Sequence, residues 1–441
     1  MERRRKNLTQ LFIPICLETL LYMLSGMVDT LMLSSVNDQA VGAVGTANTY
    51  IGIFIIMFSV ISSGMVAVMT QNIGAGRPGV AYQARQLGLA FNAVLGIILS
   101  LILAFGAGTI LAGVGVADAL MQPARTYLQI VGGFCILNAL IPICSSYLRA
   151  FGFSKEPLYA SIIGNVINFC LNAFFLFVLH KGVAGVATAT VVSRIINLVI
   201  VVLLGAVLVK AKKHPERESN REVMGQIIRI GLPSACETAI YNVSMTLVIR
   251  FLNQMDAQGL NVTARSYTMQ ITNFSYCVGA ALAQANAIMT GWRIGAKEYD
   301  ACDRGTRKAA IIGVIVAVIL ETMFALCSGW IMQLFSKDPQ MVSLVGKLLA
   351  IDIVLEMGRV TNLVYGQALK TSGDAVFPVV MGACFMILCS VGGTYLFGIR
   401  LGLLAVGAYI GMAGDECVRA IGMYLRWKSG KWKEKGLVKS R

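Results

Sequence analysis

Four polar side chains follow one face of a long apolar segment near the N-terminus. They are spaced i, i+4, i+7 and i+11 along a predicted helix: Glu18, Tyr22, Ser25 and Asp29. Eleven residues of α-helix turn through about 1100°, close to three full turns, so the four side chains share a face. An ionisable group in a membrane helix is costly and usually faces the protein interior, where it serves a function. A carboxylate there, such as Asp29, can bind a proton or another cation.

A similar stripe recurs in the second half of the chain. Glu237, Tyr241 and Ser244 repeat its first three positions, whereas Val248 stands where the first stripe has Asp29. The paired glutamates are as compatible with structural contacts as with a role in lining a cleft. Because the aspartate has no acidic counterpart, the comparison favours an ion or proton site in the N-terminal half.

Other polar residues interrupt further apolar segments. Asn165, Asn168 and Asn172 are spaced i, i+3 and i+7, which fits interhelical hydrogen bonds as well as a binding site. The single charges Arg194 and Glu321 have no partner that the sequence identifies.

Two segments near the C-terminus carry acids and bases three residues apart. These are Glu356 with Arg359 and Glu416 with Arg419. Because residues at i and i+3 meet on one helix face, each pair can neutralise its own charge. We expect structural ion pairs here, with Glu356 also a candidate for the lining of a cleft.

The composition indicates the environment in which these segments lie. Only 13% of the 441 residues are charged, 56% are hydrophobic and the mean hydropathy is +0.72. A soluble domain has roughly 25% charged residues, so a soluble enzyme and a disordered chain are excluded. Eleven scattered cysteines without a CxxC motif and only two histidines predict neither a disulfide framework nor a metal site. The sequence therefore predicts a polytopic membrane protein without an organic cofactor.

Twelve apolar runs are long enough to cross a hydrocarbon core of about 30 Å. No β-barrel alternation is visible, so an all-α fold is predicted. The predicted spans are 11–33, 46–72, 86–113, 125–149, 157–179, 183–209, 225–252, 263–290, 309–335, 342–369, 376–399 and 403–425.

Lysine and arginine give the orientation, because cytoplasmic loops retain them. Alternate loops and the two termini together hold 26 of them. The opposite side has seven: Arg125, Lys181, Arg250, Arg265, Lys337, Lys347 and Arg400. Both termini are therefore predicted to be cytoplasmic, in a cell inner membrane, and the net charge of +15 reflects topology rather than nucleic-acid binding.

The first apolar run is interpreted as a retained helix rather than a cleaved signal peptide. The basic tail, with Trp427 and Trp432, is interpreted as a candidate for contact with anionic lipids.

The chain also repeats itself. Residues 14–25 and 233–244 share five identities in twelve positions, and IGA at 73–75 recurs at 294–296. This predicts two pseudo-symmetric six-helix bundles with a central cleft, as in alternating-access carriers. The predicted organisation is an N-terminal lobe, a cytoplasmic linker, a C-terminal lobe and a basic tail, at 1–210, 211–224, 225–426 and 427–441.

Several motifs resemble those of the multidrug and toxic compound extrusion (MATE) transporters, in order and spacing, over almost the whole chain. They are VDT at 28–30 with AVGAVG at 40–45, QNIGAG at 71–76, LRAFGFSKEP at 148–157, GVAGVATATVVS at 182–193, LPSACE at 232–237, IGAKEY at 294–299 and LKTSGDAVFP at 369–378. The aspartate fifteen residues after Pro14 resembles the prokaryotic DinF-type branch.

This resemblance implies a coupling-ion or proton site in the N-terminal lobe. Its members would be Asp29, Asn168, Asn172 and Thr190. The chain departs from the family at Asn172, where an aspartate is common. With one carboxylate left, the departure weakens a Na⁺ site and favours proton coupling through Asp29.

The sequence thus predicts a cation-coupled antiporter, with H⁺ or Na⁺ as the coupling ion, that exports organic cationic or amphipathic compounds. A lipid-linked oligosaccharide flippase of the same wider superfamily is the alternative, although no dense cationic set lies in the spans to bind pyrophosphate. A membrane-embedded transferase would need paired acidic motifs such as DDxxD, and the sequence has none. Small organic molecules and membrane lipids are the expected partners of a protein predicted to be a monomer.

Overall fold

The structure is a computed structural model that describes residues 6–34, 38–113, 116, 118–209, 216–256, 258–333 and 335–438. These residues form helices joined by short turns, with no strand among them. Contacts divide the chain into two compact units, Met1–Gly231 and Leu232–Arg441. The basic extreme N-terminus and residues 211–215 of the predicted linker lie outside the described residues.

The first unit contains six membrane-length segments. They are α1 (Leu8–Ser34), α2 (Asp38–Gly74), α3 (Pro78–Gly113), the pair α4 (Asp118–Tyr127) and α5 (Ile136–Ala150), α6 (Lys155–Ala173) and α7 (Gly182–Leu208). A π-helical turn, Leu128–Gly132, joins α4 to α5, and the chain bends there by 43°. The extra residue of a π turn weakens the regular helical hydrogen bonding, and this accounts for the bend. A second π segment, Phe174–Val178, extends α6.

The second unit repeats this order. It contains α8 (Asn220–Met255, beginning in the first unit), α9 (Leu260–Gly295), α10 (Tyr299–Leu326), α12 (Pro339–Ser372), α13 (Val376–Phe385) and α14 (Leu404–Lys428). The short α11 (Ser328–Met332) follows α10, and the π segments Met386–Val391 and Thr394–Arg400 extend α13. A 3₁₀ turn, Lys431–Glu434, follows α14.

Hydropathy is distributed unequally between the two units. Seven helical segments are long and apolar enough to cross a membrane, and the bent pair α4–α5 raises the number to eight. Six of these lie in the first unit. The remaining four long helices, α8, α9, α12 and α14, have 25 to 36 residues and lie wholly or mostly in the second unit. The described residues thus contain the twelve predicted segments, but the four less apolar ones are concentrated in one half.

The internal repeat is visible as a repeated ion pair. In the first unit Arg149 Nη2 lies 2.6 Å from Glu18 Oε2, which joins α5 to α1. In the second unit Lys370 Nζ lies 2.5 Å from Glu237 Oε2, which joins α12 to α8. The glutamates occupy equivalent positions in the segments PICLET and PSACET, and each base follows the leucine of LRAFG or LKTSG. Each glutamate of the predicted stripes is therefore neutralised within its own unit.

The described end of the predicted linker and the C-terminal tail each dock on the helices that precede them. Gln83 Nε2 donates to the Glu218 carbonyl at 2.7 Å, and Arg77 pairs with the Glu218 carboxylate at 2.6 Å. In the tail, the rings of Trp427 and Trp432 stack 4.2 Å apart, and both are buried. These two indoles pack inside the protein, whereas the sequence suggested that they contact lipid.

Gly373 marks where the tail touches its bundle. Its φ of +102° is in the left-handed region, and a methyl group there would lie 2.2 Å from the Lys435 carbonyl oxygen. Gly430 also has a positive φ, +72°, but has nothing within 4 Å of that position. Alanine in the left-handed region costs about 1–2 kcal/mol, and only at Gly373 does a backbone clash add to this cost.

We expect Gly373→Ala to lower the unfolding temperature more than Gly430→Ala does. Thermal unfolding in detergent measures this difference, and trypsin cleavage at the tail lysines shows whether the tail has lifted. Equal shifts and equal cleavage in the two variants would contradict the described docking of the tail.

Candidate functional site

Asp29 lies at the centre of a polar cluster in the first unit. Asn172 Nδ2 donates to Asp29 Oδ1 at 2.6 Å and also approaches Asn168 Oδ1 at 3.2 Å. Both asparagines are buried, and Asp29 is partly buried. The structure therefore brings together three of the four residues that the family resemblance implies.

The local structure of α6 places the two amides beside α1. Asn168 and Asn172 are four residues apart, so they stand one above the other on the helix face that packs against α1. Asn165, one turn earlier, approaches the Leu21 carbonyl of α1 at 3.5 Å through Nδ2. The Asn172 Oδ1 atom is buried and has no hydrogen-bond partner. An open acceptor oxygen thus lies next to a carboxylate, which suits a proton donor or a cation.

The other implied residue, Thr190, bonds within its own helix. Its hydroxyl donates to the Val186 carbonyl of α7 at 2.9 Å, and the residue is buried. The same helix carries Arg194, which interacts electrostatically with Asp29 and with Tyr127 of α4. The charge that had no partner in the sequence therefore belongs to the Asp29 cluster.

The remaining positions of the first stripe differ in their surroundings. Glu18 is held by Arg149, as described above. Tyr22 is 67% exposed and Ser25 is partly buried. In the second stripe Glu237 pairs with Lys370, Ser244 is buried and Tyr241 lines a cavity. Asp29 alone of the two stripes combines a carboxylate with amide and guanidinium neighbours.

A buried ion network occupies the second unit. Arg359 pairs with Glu356 and, at 3.5 Å, with Glu416, so it links α12 to α14. Arg419 contacts Glu416 at 2.9 Å and Asp415 at 2.9 Å. Both predicted i,i+3 pairs are thus present, and Glu416 joins them into one network.

The network is completed by neutral donors. Asn362 Nδ2 donates to Glu416 Oε2 at 3.0 Å, and Ser390 Oγ donates to Asp415 Oδ2 at 2.9 Å. Because these side chains are buried, each carboxylate needs such partners to remain ionised. The network therefore has a structural role: it joins α12 and α14 to the π segment that extends α13.

A family sequence model matches the chain twice. The MatE family matches residues 14–174 and again 233–396. The two matches begin at the same point of the repeat, because Pro14 and Pro233 stand at equivalent positions before Glu18 and Glu237. This double match confirms the internal repeat.

Relatives of known name match over nearly the full length. The chain is 34% identical over 431 residues to the uncharacterized transporter YisQ of Bacillus subtilis strain 168, covering 96% of this chain and 94% of the relative. It is 24% identical over 451 residues to the probable multidrug resistance protein NorM of Thermotoga maritima, covering 98% and 94%.

Solved structures match in fold. One is a multidrug resistance MATE family transporter of the MOP superfamily in an outward-facing conformation, with a TM-score of 0.87 at 18% identity. The match covers 98% of this chain and 96% of that one. At this identity the likeness shows the fold alone.

Proposed function

The chain belongs to the MATE family of membrane transporters, and on that premise we propose that it is a cation-coupled antiporter. Its cargo would be organic compounds, cationic or amphipathic, exported by alternating access. The names of the relatives, which include several probable multidrug resistance proteins, favour this cargo over a lipid-linked oligosaccharide. Family members are transporters, so no enzymatic activity is assigned.

The Asp29 cluster is the observation that carries the proposal. It holds one carboxylate hydrogen-bonded to Asn172 and one guanidinium, Arg194, within electrostatic range. With Asp29 ionised the two charges cancel, whereas a bound proton or Na⁺ makes the cluster net positive. A net positive charge disfavours a cationic cargo, so binding of the coupling ion promotes cargo release.

The coupling works only through different affinities in two states. A ligand shifts a conformational equilibrium by its differential affinity for the two conformations and by no more. We propose that Asp29 takes up H⁺ or Na⁺ from outside, releases cargo outward, and loses the ion to the cytoplasm as the protein resets. Asn172 and Asn168 would hold the carboxylate in place, and Thr190 would flank the site on α7.

The proposed setting is the cell inner membrane, with both termini in the cytoplasm and the protein acting as a monomer. The docked linker and tail carry many of the basic residues on which that orientation depends. The coupling ion, H⁺ or Na⁺, is the only inorganic partner that the proposal needs.

The test is efflux of a fluorescent organic cation from proteoliposomes, with pH and Na⁺ gradients imposed separately. We expect one gradient to drive efflux by the wild type, and Asp29→Asn to reduce it to the leak of protein-free liposomes. Asp300→Asn, which removes an exposed carboxylate at the start of α10, is the matched control and should transport normally.

Two outcomes would contradict parts of the proposal. Wild-type rates in a normally folded Asp29→Asn variant would remove the aspartate from the coupling mechanism. Absence of wild-type efflux under both gradients, with flipping of a labelled lipid, would replace drug export by the flippase function.

A further inference from the structure

The four less apolar helices of the second unit converge on a single cavity. Residues of α8, α9, α12 and α14 line this space, which has a volume of about 210 Å³. These are the four long helices that fall short of the apolar character of the others. Some of the polar residues that lower the hydropathy of these helices line this cavity. We call it the C-unit cavity.

The C-unit cavity holds an arginine without a carboxylate partner. Arg265 of α9 lines it, is 6% exposed, and pairs with no carboxylate among the described residues. Its Nε atom is buried without a hydrogen-bond partner, and Nη2 has only the Met245 sulfur at 3.8 Å. The other buried arginine of this unit, Arg419, and the half-buried Arg359, which also lines the cavity, both pair with carboxylates of the ion network. A buried unpaired guanidinium is strongly destabilising, so this position suits a ligand anion.

The same cavity holds a carboxylate that forms no ion pair among the described residues. Asp352 of α12 lines it, is 2% exposed, and has a buried Oδ2 atom without a partner. Glu321 of α10 is also fully buried and forms no ion pair among the described residues. Glu321 and Asp352 interact electrostatically. Arg359, which lines the same cavity, acts on both acids electrostatically, but its own ion pairs are with Glu356 and Glu416. This part of the cavity is therefore suited to a cationic group.

Tyrosine and methionine side chains form half of the cavity lining. Tyr241, Tyr276 and Tyr409 come from three different helices, and Met245 and Met412 lie beside them. Tyrosine rings and methionine sulfur both pack well against a flat aromatic ligand. The volume of about 210 Å³ is below the 300–1,000 Å³ that is usual for drug-sized ligands, and is comparable with an aromatic amino acid.

We propose that the C-unit cavity binds a small aromatic zwitterion. Its carboxylate would pair with Arg265, its ammonium group with Asp352, and its ring would lie among the tyrosines and methionines. A simple cation would leave Arg265 unpaired, and a simple anion would leave Asp352 unpaired. As a cargo site the cavity rests on the proposed function, whereas the binding itself does not depend on transport.

Three radiolabelled ligands that share an indole ring test the proposal. L-tryptophan has both charges, tryptamine only the ammonium group, and indole-3-propionate only the carboxylate. Equilibrium binding to the purified full-length protein in nanodiscs, without any gradient, should give saturable binding of tryptophan. Loss of one charge-assisted contact should weaken binding by about 10- to 100-fold, so we expect both other ligands to bind more weakly by that factor.

Substitutions assign the two ends of the ligand. Arg265→Met should reduce tryptophan to the affinity of tryptamine and leave tryptamine unchanged. Asp352→Asn should reduce tryptophan to the affinity of indole-3-propionate. Arg250→Met removes an exposed arginine of the same unit and should bind all three ligands as the wild type does. Arg265→Gln also removes the charge but keeps a polar side chain, and it replaces Arg265→Met should that variant not fold.

Three results would overturn the proposal. These are tryptamine binding as tightly as tryptophan, an unchanged ratio of the two affinities in the charge-removing variants Arg265→Met and Arg265→Gln, and no saturable binding of any of the three ligands. Because no gradient is applied, a failure here leaves Asp29 coupling intact, and loss of coupled efflux in Asp29→Asn leaves the binding result intact.

Discussion

Arg419→Met should destabilise the protein by about 3–5 kcal/mol, because it removes one member of a buried ion network. The guanidinium makes two contacts to Asp415, at 2.9 and 3.1 Å, and one to Glu416 at 2.9 Å. All three residues are buried. Methionine fills much of the volume of arginine but leaves both carboxylates without the cation that they share.

A surface arginine provides the control. Arg307 pairs with Asp303 at 3.0 Å in an i,i+4 arrangement, and its side chain is largely exposed. Such pairs contribute about 0–1 kcal/mol, so Arg307→Met should unfold close to the wild-type temperature. Thermal unfolding in detergent measures both variants.

A charge-matched variant separates electrostatics from packing. If the loss comes from uncompensated charge, Asp415→Asn with Glu416→Gln in the Arg419→Met background should recover part of the stability. A wild-type unfolding temperature for Arg419→Met would show that the network does not stabilise the second unit.

The second large effect is expected at a close helix crossing in the first unit. A Cβ at Gly64 of α2 would lie 1.9 Å from the Ile227 carbonyl oxygen of α8, and one at Gly231 would lie 1.6 Å from the Val60 carbonyl oxygen of α2. Both obstacles are backbone atoms, which cannot move aside as a side chain can. The two helices approach this closely only because neither glycine has a side chain.

We expect Gly64→Val and Gly231→Val each to lower stability by about 1–3 kcal/mol or more, the usual range for overpacking. Gly45 of α2 and Gly225 of α8 have nothing within 4 Å of the added carbon, so Gly45→Val and Gly225→Val carry the same change in helix propensity without the clash. Unfolding temperature and efflux rate should both fall at Gly64 and Gly231 and change little at the controls. Equal effects at all four sites would contradict the described crossing.

Segment existence was predictable from hydropathy, whereas segment boundaries were not. The predicted spans 86–113 and 225–252 correspond to α3, which begins at Pro78, and to α8, which begins at Asn220. An apolar run marks only the part of a helix that lies in hydrocarbon. The helix itself, held by its backbone hydrogen bonds, continues into the polar residues on either side. The predicted linker at 211–224 therefore includes the first residues of α8. The π segments were not predictable either, because hydropathy does not distinguish them from α-helix.

The candidate sites show the same division. Helical spacing and the family resemblance predicted that Asp29, Asn168 and Asn172 lie close together, as they do in the structure. The position of Arg194 was not predictable, because its partner lies on a helix distant in sequence.

Arg265 was missed for a different reason. It was counted with the outer-side charges, although α9 carries a stripe of the same spacing as α1. Arg265, Met269, Thr272 and Tyr276 stand at i, i+4, i+7 and i+11, and all four line the C-unit cavity. Because this stripe includes methionine and threonine, it is too weakly polar to be noticed in the sequence, and it is recognised only from the cavity that its residues line.

During synthesis of the protein, each ion pair of the repeat can form only after a delay. Glu18 emerges from the ribosome long before Arg149, and Glu237 emerges long before Lys370. At about 5–20 residues per second, each glutamate waits roughly 7–26 s for its base. During that interval the glutamate of the first helix lacks its basic partner, which is supplied by the fourth membrane-length segment of the same half. Because each pair joins residues of one half, the Glu18–Arg149 pair can form before the second half of the chain has been synthesised.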